Sequence, residues 1–374
     1  MNIYKHTSSE YPIVLLDTGY INFYSLYATE YWFKLACDGV PEPESDWMDC
    51  VQFKEKYEQM YLTRIEKLFA KPTFQQLIPI SKLKRTKNKK YEERLDELEK
   101  EKELNKSNTR KRQNKNNNRP RTNKEITYEI RQVKKEIKKN NVIVIPKSQM
   151  IFAYDCPRKY IWRQKYFPTY KQNRDEKYKS SEWKGGGIMG YTNRTLIPQY
   201  VKEHDVTILG EKTFEGDDVI ALTHRYIRHN YPNKHIIVIT NDHDMLQLLD
   251  SKTSMINLKG QNLSDKSVGS SRGDLLMKVL CGDPSDNIKS CFPKCGKVTA
   301  MRLIHDEHKL EEKLNSNIKY REAYDFNCKL IDFSEIPNDL VDTFYDNHDD
   351  YFNPIIEYEC EDNSDEVIDL KVTT

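Results

Sequence analysis

Short apolar runs punctuate an otherwise polar chain, and two of them, Ile13–Leu16 and Ile236–Thr240, show no alternation of apolar and polar positions. A short strand that is apolar on both faces belongs inside a sheet covered by helices on either side. "SQMIFAYDCP" and "VTILG" read as two further strands. Segments of helical spacing lie between them. Residues 48–70 put Phe53, Tyr57, Met60, Tyr61, Ile65 and Leu68 on one stripe, a helix is expected around 191–203, and "TFEGDDVIALTHRYI" reads as another with an acidic start. Strands alternating with helices predict an α/β fold with a central, largely parallel sheet.

Several of these strands end on acid: Asp17 after the first, Asp155 after "IFAY", and Asp242 with Asp244 after "IIVIT". One such Asp is an ordinary helix cap, suited to the positive N-terminal dipole. Three strands sharing the feature call for more, because the functional crevice of an open parallel sheet lies beyond the C-terminal strand ends. "FEGDDVIA" adds Glu215, Asp217 and Asp218 in or before a first helical turn, where the dipole tolerates them. "GDPSDNI" adds Asp283 and Asp286, three apart, which share a turn face or form an Asx-type turn around Pro284. These nine carboxylates come without a His or Cys ligand pattern. Oxygen-only donors suit hard cations such as Mg²⁺ or Mn²⁺. Their surplus over the needs of one ion suggests two, about 3.5–4 Å apart, as in two-metal phosphoryl chemistry.

Composition narrows the setting. A chain of 374 residues holds one large domain or two modest ones. No apolar run approaches the roughly 18 residues of a membrane span, and the N-terminus has no signal-peptide pattern. The eight cysteines contain no CxxC pair, and Cys291 and Cys295 of "CFPKC" lack nearby His, so neither a disulfide framework nor a zinc site is indicated. Reduced thiols, an intracellular setting and no membrane partner are the expectation.

The net charge of +2 conceals a strong asymmetry: residues 81–140 hold 22 Lys/Arg against 10 Asp/Glu, and Glu335 to the C-terminus holds 13 acids against one Lys. Within the basic part, a charged helical pattern precedes an Asn/Lys/Arg tract too polar to bury a core, and a second charged helix runs from Lys124 to Lys139. Such a stretch is either a solvated face or a nucleic-acid contact. Its Asn and Lys richness fits an AT-rich source such as a virus.

In family order, "VLLDTGYINFYS", "FAYDCP", "EGDDVIA", "VITNDHDMLQLL" and "GDPSDNI" followed by "GKVTAMRLI" resemble the motifs of the 5′-nuclease superfamily of flap endonucleases and phage 5′-exonucleases. The look is closest to its phage ribonuclease H branch, and it covers about residues 12–35 and 148–345. The resemblance implies metal ligation by Asp17, Asp155, Glu215, Asp217, Asp218, Asp242, Asp244, Asp283 and Asp286, with Asp17 and Asp155 near one Mg²⁺ or Mn²⁺ and Asp244 and Asp286 near a second. In "RQKYFPTYKQNR" it points to Arg163, Tyr170, Lys171 and Arg174. A Lys or Arg there would meet charge developing on the scissile phosphate, and Tyr166 and Tyr170 would stack on terminal bases. The alternative for this stretch is a solvated basic helix with two core tyrosines.

The resemblance further implies a helical arch at about 160–205 and a helix–three-turn–helix DNA-binding region over 269–345. Lys294, Gly296, Lys297 and Thr299 would contact nucleic acid there, beside a potassium site near 288–299 that Ser290, Lys294 and Cys295, standing where glycines are usual, put in doubt. The nuclease core would comprise 1–36 and 140–268, interrupted by an insertion over 37–139, with an acidic segment over 346–374. The implied activity is metal-dependent, structure-specific 5′ hydrolysis of DNA or RNA–DNA hybrids, in exonuclease or flap-endonuclease mode. It would serve primer and flap removal in replication or repair, with a sliding clamp or single-strand-binding protein as possible partners. Two rivals are a PIN-type ribonuclease, which lacks the 283–304 motif, and an inactive structure-specific DNA-binding protein, which needs a broken ligand set.

Overall fold

A computed structural model describes residues 2–353 apart from 38–39, 70, 72–73, 75–81, 108–120, 141–144 and 180–181. Five strands, β1 (Ile13–Asp17), β2 (Met150–Tyr154), β3 (Thr207–Gly210), β4 (Ile236–Ile239) and β5 (Thr253–Ile256), form one sheet in the order β3-β2-β1-β4-β5. All four pairings are parallel. β1 sits at the centre; the chain runs outward from it through β2 to β3, then crosses back to β4 on the other side of β1 and outward again to β5. A crevice beyond the C-terminal strand ends follows from that reversal.

The lack of alternation in the strands has its cause in two covered faces. Val14 and Leu16 pack with Ile237 and Ile239 into a core that includes the helices Thr18–Ala36, Val51–Phe69 and Ile197–His204. Ile13 and Leu15 point the other way, into a core with Gly216–Asn230 and Asn338–Asn347. A third core unites Ser271–Cys281, Lys297–Ile304, Glu307–Asn315 and Ile318–Ile331, the helices of the expected DNA-binding region. Between β2 and β3, the expected arch is a series of short helices, Arg163–Tyr166, Gln172–Lys179 and Gly186–Tyr191, passing through one π-helical turn into Ile197–His204. The helix expected around 191–203 is thus interrupted at its start.

Residues 37–139 do not behave as one unit. Of the stripe read from the sequence, Phe53, Tyr57, Tyr61, Ile65 and Leu68 are buried in the main core, while Met60 is only part-buried and lines a surface groove. Lys82–Ser107 and Asn123–Asn140 instead pack on each other, with Leu98, Ile126, Ile130 and Val133 as a small core of their own. The charged pattern therefore hides a self-supporting helical pair, while the tract between lies outside the described residues. So does the acidic segment beyond 353. Among the described residues no helix is long and apolar enough to cross a membrane.

Candidate active site

The strand-end acids meet in a cleft of about 500 Å³ lined by Asp17, Asp155, Glu215, Asp217 and Asp242, together with Tyr20, Phe23, Lys171 and Arg174. Asp17 ends β1 and caps the next helix: its Oδ1 accepts the Tyr20 N–H at 2.8 Å and its Oδ2 the Thr240 hydroxyl at 3.0 Å. Asp155 follows β2 and accepts the Gly216 N–H at 2.7 Å. Two glycines allow that approach. A Cβ at Gly19 would stand 2.6 Å from Asp155 Oδ2, and one at Gly216 would stand 3.3 Å from its Oδ1. Asp242 follows β4 and accepts the Asp244 N–H at 2.8 Å, so capping does operate at this strand end. Asp217 occupies the first turn of Gly216–Asn230.

The site's ion pairs all go to other carboxylates, leaving Asp17, Asp155, Asp217 and Asp242 facing one another without a paired cation among the described residues. Burial and then the neighbouring Asp155 push Asp17 up to about 7. Burial, Asp242 and Asp17 hold Asp217 well above the usual carboxylate range. Asp155 is raised by the protein packed around it, although its side chain opens onto the cleft.

The other carboxylates are neutralised from within. Arg163 grips Asp218 with two nitrogens, at 2.7 and 2.9 Å, while Trp162 Nε1 and the Glu215 N–H each donate to Asp218 Oδ2 at 3.1 Å. Glu215 accepts from Arg163 at 3.1 Å, the Tyr170 hydroxyl at 3.0 Å and Lys171 Nζ at 2.5 Å. Burial alone would raise Glu215, but Lys171 and Arg163 outweigh it and bring the group down to about 2. Asp286 receives Tyr170 at 3.2 Å, Arg174 at 2.5 Å and, more distantly, Lys171 at 3.6 Å.

Lys278 stands 2.6 Å from both Asp244 and Asp283. Asp283 is lowered, Lys278 outweighing burial, whereas burial and Asp242 still push Asp244 up to about 7. Asp283 also accepts the Ser285 N–H at 2.8 Å, so the Asx-type turn is present. Among the described residues no group of three or more His, Cys, Asp or Glu forms a ready-made metal cage.

Three sequence expectations are corrected by burial. Asp218 has both oxygens occupied by internal donors and no face toward the cleft. Arg163 is 3% exposed, and its Nε donates to the Leu330 carbonyl, so it holds the interior together rather than touching nucleic acid. Tyr170 is also buried, its hydroxyl spent on Glu215 and Asp286, which removes it as a stacking platform. Tyr166 remains exposed, with Lys329 Nζ 3.6 Å from its ring centre. Lys294, Gly296 and Lys297 lie exposed around the start of Lys297–Ile304, and Thr299 donates to the Lys294 carbonyl at 3.4 Å.

Sequence reasoning missed Lys278, Thr240 and Gly19. Lys278 had one signal, a lone cation in the apolar stretch "LMKVLC", five positions before Asp283. Gly19 had another, standing two positions after the first strand-end Asp at "LDTG".

Residues 110–272 match the family model of the 5′-3′ exonuclease N-terminal resolvase-like domain. A 5′-3′ exonuclease of Halalkalibacterium halodurans is 29% identical over 44% of this chain, a match spanning 53%, about half, of that relative's length. Ribonuclease H of Enterobacteria phage T4 is 21% identical over 60% of this chain and 77% of its own. Among solved structures, the T5 D15 protein co-crystallised with metal ions is similar at 18% identity and a TM-score of 0.44, covering 59% of this chain and 90% of that one. The bacteriophage T5 D15 flap endonuclease in complex with DNA and metal ions gives 18% and 0.42, over 53% and 81%.

Proposed function

We propose that the chain belongs to the 5′-nuclease superfamily and is a metal-dependent, structure-specific 5′ nuclease acting near 5′ ends or flaps of DNA and RNA–DNA hybrids, a reading supported by the match of residues 110–272 and by the two relatives. The observation that carries this is the unpaired anionic group of Asp17, Asp155, Asp217 and Asp242, whose mutual repulsion a cation would relieve. Oxygen-only donors fit Mg²⁺ or Mn²⁺. Asp17, Asp155, Asp217 and Asp242 would hold one ion, and Asp244 and Asp286, with Glu215 and Asp283 behind them, would border a second. A divalent cation there supplies a more acidic water and countercharge for phosphoryl oxygens.

The chain's own cations do the positioning. Lys171 and Arg174 line the same cleft and turn a positive edge toward an entering phosphate. Lys171 is held in a left-handed backbone conformation, φ 57°, with its N–H on the Asp286 carbonyl at 3.1 Å and its own carbonyl bonded by Arg158. Such a conformation disfavours a residue with a side chain, and surrounding contacts must hold it. Its ammonium is consequently aimed by the backbone as well as by Glu215. Lys294 and Lys297 offer exposed donors for duplex phosphates beside Gly296 and Thr299, whose N–H and hydroxyl are given to the Lys294 carbonyl, and Tyr166 offers an exposed ring for a terminal base.

The name of the phage T4 relative supports including RNA–DNA hybrids, and with them primer removal. The test is a 5′-labelled flap and an RNA–DNA hybrid incubated with Mg²⁺ or EDTA. Release of short 5′ products in Mg²⁺ only is expected. An intact label on both substrates in Mg²⁺ and in Mn²⁺ would overturn the assignment.

A further inference from the structure

A second groove, of about 660 Å³, opens beside the first and is lined by Lys56, Arg64, Lys67, Lys71 and Lys259, with no carboxylate in its walls among the described residues. None of these five cations is ion-paired among the described residues; their contacts are to neutral groups. Lys56 donates to Gln59 at 2.9 Å, Lys71 to the Leu258 carbonyl at 2.6 Å, and Arg64 to the Tyr24 carbonyl at 3.4 Å while stacking 4.4 Å over the Tyr24 ring. Burial lowers both Arg64 and Lys71, which is the mark of positive charge enclosed without an anion. The sequence continues the theme, with eight Lys/Arg and no Asp/Glu from Lys67 to Tyr91. Cations on a helix are usually just solvated, and these would be dismissed but for what lies next to them.

The wall shared by the two clefts is the helix Thr18–Ala36. Tyr20, Phe23, Tyr24, Tyr27 and Tyr31 recur on it at spacings of three and four, so they share one face. Tyr20 and Phe23 line the catalytic cleft, Tyr24 lines the cationic groove, and Tyr27 and Tyr31 continue outward, 43% and 69% exposed. The Tyr20 hydroxyl accepts the Leu258 N–H at 3.0 Å, tying this face to the loop that carries Lys259. Exposed aromatic faces beside a positive groove are the two ingredients of sequence-tolerant single-strand binding.

We propose that this helix face and its cationic groove bind single-stranded nucleic acid passing out of the catalytic cleft, with bases on the tyrosines and phosphates along the lysines and Arg64. The proposal rests on the nuclease assignment for the presence of a strand in the cleft, but its test needs no cleavage. Binding of a labelled oligothymidylate of about 20 nucleotides, a length that spans such grooves, is measured in EDTA across a salt series. Lys56→Glu with Lys67→Glu should weaken binding about tenfold and reduce the salt slope by about 0.7 for each lost phosphate contact. Tyr27→Ala with Tyr31→Ala should weaken it comparably, about tenfold, while leaving the salt slope unchanged, because stacking releases no counterions. If the Lys pair fails to fold, Lys259→Glu on the exposed loop replaces it.

Oligothymidylate affinity unchanged in both variants overturns the proposal. So does a loss confined to the Lys variant and matched by a loss of polyglutamate binding, which would mark a surface for an acidic protein segment. Wild-type protein that binds the strand this way yet cleaves nothing would remove the nuclease assignment and leave the groove standing.

Discussion

The two halves of the candidate active-site cleft use carboxylates under opposite electrostatics. Asp17, Asp155, Asp217 and Asp242 face each other, and burial with like charge drives Asp17 and Asp217 upward. Glu215, which lines the same cleft and is largely buried, is driven down to about 2 because Lys171 and Arg163 stand against it. Burial is common to both halves, so the sign of the shift is decided by the partner, not by depth. The paired half is finished as folded and works as a scaffold. The unpaired half is held at an electrostatic cost that an added cation would remove, which is how binding sites differ from structural ion pairs.

The largest effect expected from breaking this contrast is in catalysis. Asp155→Ala removes a carboxylate of the unpaired half and should cut single-turnover flap cleavage in Mg²⁺ by about 10⁴-fold, roughly 5 kcal/mol of barrier. Binding of the flap in EDTA should stay near wild type. Turnover within a few-fold of wild type would remove Asp155 from the metal site.

Arg163→Met attacks the paired half and should do the reverse. It strands Asp218 in the interior and takes from Glu215 one of its two cations, leaving Lys171, which costs about 3–5 kcal/mol of stability. The urea midpoint should fall steeply, and the double variant Arg163→Met, Asp218→Leu should recover part of the loss. A midpoint unchanged in Arg163→Met would mean water reaches the pair and that Arg163 is free for another task.

The pH dependence of stability separates the halves more gently. Asp17 and Asp244 stand near about 7 in the fold against 3.8 unfolded, so the folded state holds more protons between those values. Without metal, stability should therefore fall as pH rises from about 4 to about 7. Glu215 works in the opposite sense: its contribution is full above 4.5 and is lost as pH falls toward about 2. A melting-temperature profile in EDTA should peak between those limbs. Asp17→Asn should flatten the upper limb only, and Mg²⁺ at neutral pH should do the same to wild type. An upper limb unaltered by both would show that the unpaired half of the cleft carries no repulsion.

What the sequence disclosed about this contrast was one side of it. Strand-end acids are local features, since a buried strand and the Asp that ends it lie within a few residues of each other. The five-motif order carried the rest of the outline, including the helices from 271 onward. The pairing was not legible, because Arg163 and Asp218 are 55 positions apart and Lys171 and Asp286 farther, and nothing in "IWRQKYF" distinguishes a buried Arg from a solvent-facing one. β5 was missed for a related reason: Thr253–Ile256 is four residues long, begins with two hydroxyl side chains and ends on no acid. In Asn123–Asn140, the spacing of Ile126, Ile130 and Val133 was visible, but the surrounding charge outweighed it until a partner helix supplied Leu98.

The smallest expected effect comes from shifting one carboxylate between the halves. Arg174 is 40% exposed along its side chain and pairs with Asp286 at 2.5 Å, so its loss should cost no more than about 1 kcal/mol of stability. Arg174→Ala would leave Asp286 with the Tyr170 hydroxyl and the more distant Lys171, and so with one oxygen less fully compensated. Net negative charge at the cleft should then attract Mg²⁺ more strongly. The rise in melting temperature on adding Mg²⁺ should begin at a concentration a few-fold lower than in wild type, since ligand linkage follows affinity directly. Cleavage should nevertheless slow, because the positive edge facing the phosphate is weakened. Those two changes run in opposite directions. A variant in which Mg²⁺ stabilises the protein at the wild-type concentration would place Asp286 permanently in the paired half, held there by Lys171 and Tyr170 alone.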